Sequence, residues 1–364
     1  MKKTLLAAAL CVGFAGVAQA ETSVTLYGIL DTGYGYSQVK YDRNNVQGSN
    51  TSSGLRDGIF NGSRWGLKGS EDLGDGLRAV FQLEANANLG EGSGSKHSGF
   101  ARQTFVGLTS DSWGAFTMGR QYNLGYNGFT HDVNEGVSFG DMDRAFGAQG
   151  SSTRMDNSFK YVTPSLSGFK AGIAYGNPDT TVTRINGASK SDRSNHLSTA
   201  LKYESGPLFV AASYDRASSS LDNAITNWAI AGAYDFEVVK LHLAYGQDRY
   251  GKLGWANEAK DLYEKLIGAY SLGKDFKSSN YYVGLSAPVG AGTLVASWSR
   301  SSSNLDDSDK WGDKAKAQNI YHVNYKYPLS KRTSVYAYGS YGTGVGYVDG
   351  VKVKEAGVGL NHKF

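Results

Sequence analysis

From Val24 onward, apolar and polar residues alternate with a period of two in one segment after another. That is the spacing of β-strands with unlike faces. Val24, Leu26, Leu30, Tyr34 and Tyr36 share one parity, and Thr25, Tyr27 and Asp31 share the other. In 58–72, Trp65 and Leu67 oppose Arg64 and Lys68. After the tight turn Leu73-Gly74-Asp75-Gly76, the residues Leu77, Ala79, Phe81 and Leu83 oppose Arg78, Gln82 and Glu84. The pattern recurs in 100–109 and 114–121, 154–163 and 168–176, 195–204 and 207–215, and 226–236 and 238–247. It continues in 279–287 and 292–300, in 318–327 and 332–341, and closes on 355–364, which predicts sixteen strands.

Short turns alternate with long polar connections at 37–57, 87–99, 122–153, 177–194, 216–225, 248–278, 301–317 and 342–354. Pro164, Pro207, Pro288 and Pro328 lie in or beside the short turns, where no central ladder needs the missing N–H. Two sets of strand ends, one short and one long, predict an all-β, 16-stranded antiparallel transmembrane β-barrel with short periplasmic turns and long extracellular loops. Parity is ambiguous in 100–109 and around Arg120, where bulges or strand ends are expected.

The polar parity decides between membrane and water. It holds Arg64, Lys68, Arg78, Gln82, Glu84, Asp156, Lys160, Lys202, Asp235, Lys240, His242, Asn324 and Lys326. A sixteen-stranded barrel encloses a lumen too wide for side chains to fill, so this set suits a hydrated interior and the apolar parity suits lipid. Tyrosines and tryptophans near strand ends, among them Tyr34, Trp65, Tyr214, Trp228, Tyr245, Trp298 and Tyr325, suit interfacial girdles.

The segment 122–153 is the exception to the pattern. It has no apolar period and carries Asp132, Glu135, Asp141 and Asp143 among glycines and aromatics. A structureless connection of that length inside a compact domain points to function. Folded into the lumen, it would narrow the passage.

The N-terminus has its own grammar. Lys2 and Lys3 precede an apolar run over 5–17, followed by Ala18-Gln19-Ala20, which reads as a secretory signal peptide over 1–20 cleaved before Glu21. The single cysteine, Cys11, lies inside it, so residues 21–364 contain no cysteine and no disulfide framework. Without Lys2 and Lys3, 35 basic residues face 33 acidic ones, a net of +2 that gives no nucleic-acid signature. The chain has 48 glycines and 24 tyrosines in 364 residues, and no later run reaches the roughly 18 to 20 apolar residues of a spanning helix. Transmembrane strands need only about 9–11 alternating residues.

Motifs for chemistry are weak. Gly268 to Lys274 has most of a phosphate-loop pattern, but Asp275 stands where Ser or Thr is needed. Gly74, Gly76 and Ala79 have dinucleotide spacing but make a β-turn. The six histidines lack metal-ligand spacing, and no G-x-S-x-G elbow is present. Asp306, Asp307 and Asp309 hint at calcium, but Gln318 replaces the closing Glu. A short helix fits 255–267. No catalytic residue, cofactor or metal is assigned.

Several collinear stretches resemble the general-diffusion porins of Gram-negative bacteria, of the beta-proteobacterial type. They are SVTLYGILDTGYGY at the mature start, SRWGLKGSEDLGDGL (63–77), FVGLTSDSWGAFTMGRQY (105–122), RMDNSFKYVTPSLSGF (154–169), YPLSKRTSVYAYGSY (327–341) and the terminal VGLNHKF. The resemblance implies a homotrimer in the outer membrane, surrounded by lipid and lipopolysaccharide, with the third long loop folded into the pore. It implies a basic pore wall at Arg64, Lys68, Arg78, Arg102, Arg120 and Arg154, facing Asp132, Glu135, Asp141 and Asp143. Phe364 looks like the terminal outer-membrane assembly signal. Small hydrophilic solutes and ions would diffuse through, with a weak preference for anions. The alternatives are a substrate-specific channel with lumen aromatics drawn from Tyr27, Tyr282 and Tyr338, an outer-membrane enzyme, or an adhesin acting through its long loops.

Overall fold

The computed structural model describes residues 23–43, 46–90, 99–146, 153–176, 181–185, 188–192, 195–218, 224–250, 276–304 and 316–364. The expected signal peptide, the 255–267 helix, the 268–275 stretch and Asp306, Asp307 and Asp309 lie outside these residues. The strands are β1 (Ser23–Arg43), β2 (Val46–Asp57), β3 (Arg64–Gly74), β4 (Leu77–Asn86), β5 (Thr104–Ser110), β6 (Gly114–Tyr122), β7 (Arg154–Val162) and β8 (Phe169–Gly176). They continue as β9 (Thr181–Ile185), β10 (Ala188–Asp192), β11 (Asn195–Ser205), β12 (Leu208–Ser218), β13 (Ile225–Asp235) and β14 (Lys240–Arg249). The last five are β15 (Lys277–Val289), β16 (Gly292–Ser303), β17 (Gln318–Pro328), β18 (Thr333–Thr343) and β19 (Lys352–Lys363).

Each wall strand pairs antiparallel with its sequence neighbours, and β19 pairs back onto β1, from Ile29 opposite Lys363 to Lys40 opposite Lys352. Closure leaves no edge to aggregate. β2 and β3 both pair with β1 and together make one wall strand, interrupted at 58–63. β9 and β10 form a separate small hairpin, and β8 pairs with β11 across it. The wall is therefore a closed barrel of sixteen strands.

The alternation predicted from sequence is the alternation of the two faces. On β13, Ala229, Ala231 and Ala233 are buried whereas Ile230 is exposed. Val24, Leu26, Val106, Phe159, Ile173, Leu201, Leu243, Val323 and Val358 continue the exposed apolar band around the barrel. Facing water, that much apolar area would cost on the order of 25 cal/mol per Å²; a bilayer removes the cost.

Three departures from the sequence pattern matter. The expected connection 37–57 is mostly strand, because β1 runs on to Arg43 and pairs with β2. The true interruption is 58–63, which bends inward and is held by buried Asp31. The Asp31 carboxylate accepts from Phe60 N (3.0 Å), Asn61 N (3.3 Å), Tyr336 OH (2.7 Å) and Asn361 Nδ2 (2.7 Å). The third is the bulge expected around Arg120, which lies where β6 meets β7. Gly119 pairs with Ser158 and Gln121 with Met155, so Arg120 alone opposes Asp156 and Asn157. Asn157 takes a left-handed φ of 46°. Asp156, expected inside, is thereby exposed and ion-paired with Arg120.

Candidate functional site

The segment after β6 turns into the barrel and runs along the inner wall. Leu124 N donates to Ser198 Oγ on β11 (2.9 Å), and Thr130 Oγ1 lies 2.8 Å from Ser213 Oγ on β12. Glu135 N donates to Tyr282 OH on β15 (3.0 Å), and Asn324 Nδ2 on β17 donates to Glu135 O (3.0 Å). Phe139 N donates to the Glu355 carboxylate on β19 (2.9 Å). These bonds satisfy loop backbone groups that lie buried against the wall.

Its apolar residues face the same way. Val133, Met142 and Phe146 pack on Ala229, Ala231, Ala233 and Ala244, and Phe139 packs with Ile320, Val345 and Val353. Small alanines on the inner wall leave room for the large loop side chains. Gly140 lies so close to His322 that a Cβ there would sit 2.1 Å from the ring nitrogen. The next long connection inward, 344–351, joins the seat: Gln318 donates from Nε2 to Arg144 O (2.6 Å) and accepts at Oε1 from Gly346 N (3.0 Å).

Since the loop hugs β11 to β19, open space remains on the side of β2 to β4. A cavity of about 440 Å³ lies there. The interruption contributes Phe60, Asn61, Gly62 and Arg64 to its lining, and the loop contributes Tyr126, Asn134, Glu135, Asp141 and Asp143. Of the wall bases Arg64 reaches the lining, and Arg102 shares the Glu84 carboxylate with it. Arg102 is buried and fully engaged: Nε on Glu84 (2.8 Å), Nη1 on Asn86 (2.9 Å) and Nη2 on Tyr122 OH (2.9 Å). Arg154 donates to the same Tyr122 hydroxyl (2.8 Å) and lies 4.5 Å from that ring centroid. Arg64 sits 4.0 Å from the Glu84 carboxylate, and exposed Lys68 stands over Tyr27, whose hydroxyl donates to Glu84 (3.0 Å).

The other two basic candidates sit elsewhere. Arg78 pairs with Asp111 (3.2 Å) at the short-turn end of β4, opposite Asp72. Arg120 has the outward parity of exposed Phe116 and Met118. The acids also divide. Asp143 faces His131 at 3.1 Å, and Asp141 caps the following turn by accepting from Asp143 N (2.8 Å). Asp132 accepts from Gly128 N (3.0 Å), and Glu135 lies 3.5 Å from His242. Burial holds the Asp132, Glu135 and Asp141 carboxyls above their usual range, Asp141 at about 6 with help from Asp143. Burial alone would lower His131, but the facing Asp143 carboxylate overrides it and lifts the imidazole to about 9. His131, Asp141 and Asp143 bring one ligand atom each within 4.8 Å of one another, the one group of metal-ligand type among the described residues.

Some contributors escaped the sequence pattern. Tyr122, Tyr126 and His131 stack in series, at 5.1 and 4.6 Å between ring centroids, and carry the wall's order into the loop. Their spacing follows no regular period. Of the lumen tyrosines, Tyr282 is pinned beneath the loop, Tyr338 packs with Ile59 and Val137, and Tyr27 serves Glu84 and Gln82.

The Gram-negative porin family model matches residues 6–356. The chain belongs to the Gram-negative porin family. An outer membrane porin protein of Bordetella pertussis is 40% identical, covering 100% of both chains. Outer membrane porin protein 32 of Delftia acidovorans is 28% identical over 92% of this chain and 88% of its own length. Among solved structures, an anion-selective porin from Comamonas acidovorans superposes with a TM-score of 0.71, covering 94% of this chain and 100% of that one at 24% identity. An outer membrane protein of Vibrio cholerae in a trimer form gives 0.60 at 15% identity. This porin is accordingly an outer-membrane β-barrel whose relatives are outer membrane porins.

Proposed function

We propose that this porin is a general-diffusion pore through which small hydrophilic solutes and ions pass passively, with a weak preference for anions. It works as a homotrimer in the outer membrane after export and removal of residues 1–20, with Phe364 as its assembly signal, and it catalyses no reaction. The observation that carries this is the seat of 122–146: the loop is fixed to one side of the lumen and leaves a charged gap on the other. The proposed constriction has Arg64, Lys68, Arg102 and Arg154 on the wall, and Glu135, Asp141 and Asp143 on the loop. Arg78 and Arg120 are left out because their partners lie outside the gap.

The sign follows from the pairing. Glu84 is offset by Arg102, and Asp143 by His131, while burial raises the Glu135 and Asp141 carboxyls above their usual range and so weakens their preference for the charged form. Arg64 and Lys68 then dominate the local potential, which raises the concentration of anions in the gap. The field between the two sides orders water and disfavours apolar solutes.

Single-channel recording in a planar bilayer under a salt gradient tests both parts. Stepwise ohmic currents with a reversal potential favouring chloride are expected, and the Arg64→Gln/Lys68→Gln double variant should move that potential toward cations. No steps from folded protein would remove the pore; an unmoved potential in the variant would remove these two residues from the filter.

A further inference from the structure

An asparagine followed by glycine occurs on both inward-turned segments, as Asn61-Gly62 in the wall interruption and as Asn127-Gly128 on the loop. A third such pair, at 186–187, lies outside the described residues. In this pairing a backbone nitrogen reaches the preceding side-chain amide easily, because glycine has no Cβ in the way and adopts conformations that other residues avoid. The two described pairs are held very differently. Asn61 is half-buried; its Oδ1 accepts from Asn361 Nδ2 (3.2 Å) and its N donates to Asp31 (3.3 Å). That amide is tied to the barrel seam.

Asn127 is exposed on a segment that runs inside the barrel, and its amide makes no hydrogen bond among the described residues. Gly128 has a φ of 90°, and a Cβ built on it would meet nothing within 4 Å. The space around the pair is open. Gly128 N donates to the carboxylate of exposed Asp132 at 3.0 Å. The proton that must leave this nitrogen before it can attack therefore already points at an acceptor, the geometry that general-base assistance requires.

We infer that Asn127 is a site of self-modification, at which the loop slowly converts its own amide to a carboxylate with Asp132 as proton acceptor. Gly128 N passes its proton to Asp132 and bonds to Asn127 Cγ. The Cγ–Nδ2 bond breaks, and Nδ2 takes the proton from Asp132 and leaves as ammonia. Water then opens the cyclic imide. Opening at the Cγ–N bond gives an aspartate, and opening at the other carbonyl gives an isoaspartate with an extra methylene in the main chain. Water is consumed, ammonia is released, and nothing is oxidised or reduced. Either product adds a carboxylate beside Asp132 in the lumen, which lowers the positive potential there. The charge of the passage then depends on the age of the molecule. The modification is independent of the pore reading; its effect on selectivity rests on that reading.

The test ages the full chain, folded in detergent, in mildly alkaline buffer and follows the peptides holding Asn61 and Asn127 by mass spectrometry. Asn127 should change from amide to acid well ahead of Asn61, and Asp132→Asn should slow its conversion by roughly tenfold or more. The comparison of the two sites within the wild type needs no variant, so it stands even if Asp132→Asn folds poorly. Conversion at 127 no faster than at 61, or an unchanged rate in folded Asp132→Asn, would overturn the proposal. The same aged samples in a planar bilayer should show a reversal potential drifting toward cations. Asn127→Gln should abolish the drift, and fresh Asn127→Asp should reproduce it. An equal drift in Asn127→Gln, or conversion at 127 with a fixed potential, would overturn the effect on selectivity. Absence of channel steps from fresh protein would count against the pore reading alone, since the peptide masses are read without it.

Discussion

Glu84 and Arg102 face each other almost fully removed from water, at 2.8 Å, with Asn86, Tyr122 and Tyr27 completing their hydrogen bonds. Removing one member of such a pair leaves a charge with no partner, at a cost of about 3–5 kcal/mol. Arg102→Met should therefore lower the unfolding temperature of the detergent-folded barrel, whereas Arg64→Gln, at a half-buried and looser 4.0 Å contact, should chiefly change selectivity. A similar loss of stability in both variants would contradict that division. His131 and Asp141 give a pH dependence of one sign. The folded-state value of His131 is raised from 6.5 to about 9, so its stabilisation is full below about 6.5 and is lost as pH rises through about 9. Asp141, raised from 3.8 to about 6, favours the seated loop at low pH and loses that contribution as pH climbs through about 6. Open-channel noise from the loop should thus grow with pH, and His131→Gln should abolish the growth between 6.5 and 9. A flat noise profile in the wild type across that window would mean that the pair does not hold the loop. The sequence showed these acids but not their pairings, because 3.1 Å contacts within an aperiodic loop leave no trace in spacing.

At the scale of elements, the loop is held by apolar packing as much as by polar bonds. Phe139 and Phe146 anchor its middle and its later part in separate clusters, and truncating a buried Phe to Ala costs about 3–5 kcal/mol. Since the described residues of the loop form only short 3-10 turns, that loss should unseat it without unfolding the wall. Phe139→Ala should give larger, noisier conductance and faster proteolysis within the loop, with the strand content by circular dichroism unchanged. Gly140→Ala should act in the same direction, since its methyl would collide with the His322 ring. Strands were legible because their period of two is local and repeated sixteen times over. Arg78 and Arg120 were harder to place: parity alone does not report height along a strand, and the single extra residue of a bulge reverses which face a side chain occupies.

At the scale of the whole molecule, closure joins residues that the sequence keeps far apart. Asp31 binds Tyr336 and Asn361, which lie 305 and 330 positions away, while also holding the backbone of 58–63. It thus links the first, second and last two wall strands at one buried carboxylate, beside the seam where Gly28 and Phe364 exchange backbone hydrogen bonds at 3.1 Å. No periodicity could reveal this, because the constraint exists only once the ends meet. Asp31→Asn keeps the shape but removes the charge that four donors share, and charge-assisted bonds are roughly twice as strong as neutral ones. Its amide would also present a donor to donors. The expected outcome is a barrel that still closes but melts at lower temperature by an amount equivalent to a few kcal/mol. The 58–63 interruption should then relax, altering the gap on the side of Arg64 while the opposite side, where the loop is seated, stays unchanged. Comparing protease sensitivity at 58–63 with that at 122–146 separates the two. Cutting confined to 58–63 would place Asp31 as the anchor of the wall side alone. Cutting at both would mean that the two sides of the gap are held as one unit, with the seam as their common support.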